Sequence, residues 1–134
     1  MKMNRLYTLL LAATIAFVAG CQTTGGWRSK IAGTYKTVIT NSGSGDEYPA
    51  KTTFKVEAET VSGVFELDVN GTEYTGKLSK FTLIGERQFK CKWVNDANNG
   101  GNLSVTFAPD GSSFKGQWDG DDGEGGEGEW NGKK

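Results

Sequence analysis

Beyond residue 30 the chain alternates apolar and polar residues with a period of two, and each alternating run meets a turn signal within about ten residues. "IAGTYKTVIT" (31–40) reads as a first strand and "NSGSGDEYP" (41–49) as a loop. "KTTFKVEAE" (51–59) places Thr52, Phe54, Val56 and Ala58 on one side, with Lys51, Lys55, Glu57 and Glu59 on the other. "GVFELDV" (63–69) turns through Asn70-Gly71, the strongest short hairpin signal, into "TEYTGKL" (72–78). "KFTLIG" (80–85) and "RQFKCKWV" (87–94) form a further pair around Gly85-Glu86. After the polar "DANNGG" (96–101), "NLSVTF" (102–107) leads into Pro109-Asp110-Gly111. There proline presets φ and glycine accepts φ > 0. "SSFKGQW" (112–118) and "GEGEWNG" (126–132) close the series.

No helical stripe of useful length interrupts this pattern. Eight or nine short antiparallel strands in sequence would leave sticky edges if they stayed an open sheet. The expected fold is therefore all-β: a small antiparallel up-and-down β-barrel of about eight strands, or a two-sheet sandwich. The short hairpin loops favour the barrel. The inward set is Tyr35, Phe54, Val56, Phe65, Leu67 and Val69, then Tyr74, Leu78, Phe81, Leu83, Phe89 and Trp93. Leu103, Val105, Phe107, Phe114, Trp118 and Trp130 complete it.

Composition agrees. Twenty glycines in 134 residues is about twice ordinary usage, and only two prolines accompany four Trp, four Tyr and seven Phe. There is no histidine, which removes the commonest general base and metal ligand. A formal net charge of −1 argues against a phosphate-binding surface and hence against nucleic acid.

The N-terminus carries an address. "MKMNRLYTLLLAATIAFVAGC" has a basic start at Lys2 and Arg5, then an apolar run from Leu6 to Ala19. Fourteen residues fall short of the roughly 20 that span a bilayer, but they suit a secretory signal peptide. Val18-Ala19-Gly20-Cys21 resembles the lipobox of bacterial lipoproteins. The resemblance implies cleavage before Cys21 by a lipoprotein signal peptidase that recognises Val18, Ala19 and Gly20, and acylation of the Cys21 sulfur. Gln22 is similar to the outer-membrane sorting pattern, so the expected location is the cell envelope, lipid-anchored, most readily at the outer membrane. This divides the chain into a signal peptide (1–20), lipidated cysteine and tether (21–30), and barrel (31–134). Trp27, in the tether, either tucks under the fold or sits at the membrane interface. With Cys21 acylated only Cys91 remains, so no intrachain disulfide forms. Phe89, Cys91 and Trp93 alternate with Gln88, Lys90 and Lys92, which makes Cys91 a small buried hydrophobe.

The acids gather late, seven of them against three lysines from Asp110 to Lys134. In "FKGQWDGDDGEGGEGEW" (114–130), Phe114, Gly116 and Trp118 share one face, and Gly128 and Trp130 share a face on the far side. The stretch is a hairpin with an acidic loop. Gly33, Gly116 and Gly128 each stand two residues before an aromatic, as the coiling of a small barrel requires. Asp119, Asp121, Asp122 and Glu124 offer hard oxygen ligands and make the loop a candidate weak cation-binding site. Counting from Asp119, however, position 6 is Glu124 where an EF-hand needs glycine, so a solvated acidic turn is the expected reading and no metal or other cofactor is assigned. Residues 114–128 resemble one MORN-type repeat unit, and the meander resembles lipocalin and avidin barrels in outline, with Gly33-Thr34-Tyr35 standing where lipocalins carry Gly-x-Trp.

No enzyme is expected. Glu66 and Asp68 share one strand face, but it is the solvent side. The first functional expectation is a lipid-anchored structural or interaction module with an envelope-protein partner. The alternative is a binder of a small apolar ligand, held at a mouth edged by Tyr48 or Trp27.

Overall fold

The computed structural model describes residues 26–121 and 126–134. A short helix α1 (Gly26–Ile31) precedes eight strands: β1 (Gly33–Thr40), β2 (Glu47–Glu57), β3 (Thr60–Val69), β4 (Thr72–Gly85), β5 (Gln88–Asn95), β6 (Gly100–Phe107), β7 (Ser113–Gly120) and β8 (Glu127–Lys133). Each strand pairs antiparallel with its chain neighbour. β1 closes on β8 through Lys36↔Lys133, Thr37↔Gly132, Val38↔Asn131 and Ile39↔Trp130. The result is a closed eight-strand up-and-down barrel, the first of the two folds that the alternation allows, with no edge left open.

Inward residues stack as edge-to-face rings. Phe54 lies 5.6 Å from Tyr35, 5.1 Å from Phe107 and 5.4 Å from Phe114, at interplanar angles of 82°, 79° and 89°. Phe65 meets Trp130 at 4.9 Å and 83°. Such pairs add about 0.5–1.5 kcal/mol each beyond the area they bury. An eight-stranded barrel is just wide enough for its own side chains, and these rings occupy that width.

Glycines make room for them. Phe65 lies over Gly76, Trp93 over Gly101, Phe114 over Gly132 and Trp118 over Gly128. In the last pair, as in the first two, the partners are direct cross-strand neighbours, and Phe114 pairs with Gly132 likewise.

Five sequence expectations change. Gly26 to Lys30, placed in the tether, and Ile31, placed at the start of the first strand, form one helix, with Ile31 buried and Trp27 packed on the core. "TEYTGKL" and "KFTLIG" belong to one 14-residue strand, β4, whose register shifts between Ser79 and Thr82. Lys80 absorbs that bulge at φ 56°. The phase change brings Leu78 and Phe81 inward, three residues apart, and leaves Leu83, expected inside, 45% exposed near the hairpin tip. Ala58, placed by the alternation on the same side as Phe54 and Val56, is exposed in the β2–β3 turn with φ 48°, followed by Glu59 with φ 70°. Glu47 to Pro49, read as loop, already belong to β2.

Candidate functional site

The barrel has two unlike ends. At the end where β1 starts, called here the helix end, α1 lies across the opening. Trp27 meets Phe89 at 5.8 Å, and Ile31 is 1% exposed. The last carbonyls of so short a helix need partners outside it. The Tyr35 hydroxyl, with one hydrogen to give, lies 2.9 Å from the Ile31 carbonyl and 2.6 Å from that of Gly111. The Lys134 ammonium donates to the Lys30 carbonyl at 2.6 Å, a cation where the helix dipole is negative. Arg28 donates to the Glu59 carbonyl at 2.9 Å and stacks over Trp27 and Phe89. Trp27 is thus part of the plug, whereas Tyr48 sits near the start of β2 at the opposite end. The two do not edge one mouth.

Deeper inside, Trp130 Nε1 donates to Thr52 Oγ1 at 3.0 Å. The Thr52 and Thr37 hydroxyls lie 3.0 Å apart, and Thr37 Oγ1 donates to the Tyr35 carbonyl at 3.1 Å. Among the described residues no buried side-chain nitrogen or oxygen lacks a hydrogen-bond partner. The interior therefore offers a ligand no free polar anchor. Cys91 is 2% exposed, and burial pushes its thiol up to about 12. At neutral pH it is a packed, protonated thiol without nucleophilic character.

At the other end, the loop end, Asp119 and Asp121 stand at the start of the acidic connection. Both are already engaged: Asp119 Oδ1 accepts from the Asn102 backbone and side-chain amides at 3.2 and 3.1 Å, and Asp121 Oδ1 lies 3.6 Å from Lys92 Nζ. Asp122 and Glu124, the other two members of the candidate cation loop, lie outside the described residues, as do Val18, Ala19, Gly20 and Cys21. Among the described residues no cluster of three or more Asp, Glu, His or Cys is arranged to hold a metal, and no helix is long and apolar enough to cross a membrane. Glu66 and Asp68 are exposed on the outer wall, and Asp68 caps its hairpin by accepting from Gly71 N at 2.8 Å.

The outer wall carries shallow grooves. One, about 430 Å³, is lined by Val64, Glu66, Thr75, Lys77, Val94 and Asn95 among others. Val64, Lys77 and Val94 stand in one register row across β3, β4 and β5. A second, about 670 Å³ and polar, runs along β5 to β8 past Gln88, Ser104, Lys115 and Glu129.

No protein-family model matches the chain, and no curated protein matches it. Among solved structures it is similar to one described as the de novo design of a fluorescence-activating β-barrel. The TM-score is 0.64 at 15% identity over 79% of this chain and 94% of that one. That likeness shows the barrel fold.

Proposed function

We propose that this chain is a lipid-anchored protein of the bacterial envelope whose barrel works, without catalysis, as an interaction module. The observation that carries the module reading is the packed interior. Aromatic rings pack against one another in the barrel core and, among the described residues, every buried side-chain nitrogen or oxygen has a hydrogen-bond partner, which favours recognition at the outer surface. The anchor reading rests on the sequence Val18-Ala19-Gly20-Cys21 after a basic start and an apolar run, the pattern that resembles a lipobox.

A small apolar ligand, the other reading, would have to sit at the loop end near Tyr48, since Trp27 is part of the plug at the helix end and the rings of Tyr35, Phe54, Phe107 and Phe114 already touch. The similar designed barrel is titled as fluorescence-activating, which is a property of that protein.

The anchor is tested by expressing the full chain and its Cys21→Ser variant in a bacterial host. The parent should fractionate with membranes and yield an N-terminal peptide that begins at an acylated Cys21. The variant should retain residues 1–20 and carry no acyl group. A parent chain with a free Cys21 thiol sinks the reading.

A further inference from the structure

We propose that the helix end of the barrel docks on an anionic phospholipid surface, an inference that rests on the anchor at Cys21 and adds an orientation to it. Three observations converge on that end.

The first is charge. Consider the turns at each end together with the three strand residues nearest each turn, and add α1 and Lys134 to the helix end. The helix end then holds eight lysines or arginines, among them Arg28, Lys30, Lys55, Lys90, Lys133 and Lys134, against four carboxylates. The loop end, among the described residues, holds nine carboxylates, including Asp46, Glu73, Asp96 and Asp119, and no base. The near-neutral total hides a molecule with a basic base and an acidic crown. A basic residue near an anionic bilayer contributes about 1 kcal/mol within a Debye length of roughly 10 Å.

The second is apolar exposure. Leu83 and Ile84, 45% and 51% exposed, project at the β4–β5 hairpin, which turns at this same end. Adjacent aliphatic side chains beside lysines are what a headgroup–acyl boundary accepts.

The third is reach. The chain enters the barrel through α1, and the five steps from Cys21 to Gly26 extend at most about 18 Å. An acylated Cys21 therefore holds the helix end close to the bilayer, and the acidic crown then points away, where like-charge repulsion from the lipid is least.

The test uses the full chain, purified from membranes of a bacterial host and reconstituted in vesicles of phosphatidylcholine with phosphatidylglycerol, or of phosphatidylcholine alone. A thiol-specific spin label reports depth from Ile84→Cys at the helix end and Ala97→Cys at the loop end. The parent chain should take no label, because Cys21 is acylated and Cys91 is buried. On anionic vesicles the label at 84 should sit at headgroup depth and the label at 97 in water. Lys55→Gln and Lys90→Gln should each lower the docked-to-free ratio about fivefold, and phosphatidylcholine alone or high salt should release the barrel. A label at 84 as water-exposed as that at 97, with the parent unlabelled, overturns the docking and leaves the anchor standing. A parent that takes label at Cys21 removes the anchor and the docking together.

Discussion

At the scale of single residues, glycine and aromatic side chains fix the barrel's cross-section. A Cβ at Gly101 or Gly128 would collide with the backbone carbonyl of Asp119 or Thr40, neither of which can swing aside. Gly101→Ala and Gly128→Ala should each cost about 2 kcal/mol or more, which for a domain this size lowers the melting temperature by roughly 4 °C per kcal/mol. Gly26→Ala, with open space at its Cβ, should stay close to wild type by the same thermal scan.

The buried thiol and phenol set an alkaline limit. Burial raises Cys91 from 9.0 to about 12; burial, and then the nearby Asp110 charge, raise Tyr35 from 10.0 to about 12. Both groups are acids held protonated in the folded state, so their contribution is intact below the unfolded values and is lost as pH rises toward 12. Stability should hold up to about pH 9 and then fall, by up to ~1.4 kcal/mol per pH unit for each group. Cys91→Ala should flatten the first part of that fall, which denaturant titrations between pH 8 and pH 11 would show. An unchanged slope would contradict it.

Much at this scale was legible in the residues themselves. Asn70-Gly71 turns with φ 53° and 89°, and Gly111 takes φ 73°, as a residue type that tolerates positive φ allows. Leu83 was not legible, because the bulge at Lys80 that shifts the phase of β4 has no residue signature. A lysine at φ 56° is held there by the pairing on either side.

At the scale of elements, α1 is where period-two reading had least to use. Six residues carry too little helical periodicity, and α1 exists because the barrel's end accepts it: Ile31 fills the opening, while Tyr35 and Lys134 donate to its last carbonyls. Helices this short are not stable alone. Ile31→Ala should therefore cost about 2–4 kcal/mol, in the range for emptying a buried aliphatic site. It should also speed amide exchange in α1 well before β1 to β8 exchange. Uniform exchange across the molecule would show that the helix is no separable plug.

The β2–β3 turn offers the opposite sign. Ala58 and Glu59 both take positive φ, which costs L residues roughly 1 kcal/mol each. Replacing the pair by Asn-Gly, the preferred choice for two such positions, should raise the melting temperature by several degrees while Arg28 keeps its bond to the carbonyl of residue 59.

At the scale of the whole molecule, closure was foreseeable because eight alternating strands with short turns have few other ways to cover their edges. The division of charge between the two ends was not, since it depends on which turns fold to the same side. The candidate site divides in the same way. Cys91 and Glu66–Asp68 occupy the places that alternation assigns them. Trp27 and Tyr48, which sequence alone cannot locate along the barrel axis, come to lie at opposite ends.

The central claim is a lipid-anchored barrel with a filled interior that works through its surface. Native mass spectrometry of the full-length gene product, purified from the membranes of a bacterial host, tests both halves at once. The purified chain should begin at Cys21, carry covalent acyl mass, and hold no further mass that dissociates on denaturation. An unmodified Cys21 would contradict the anchor, and a reproducible, dissociable small molecule would contradict the filled barrel.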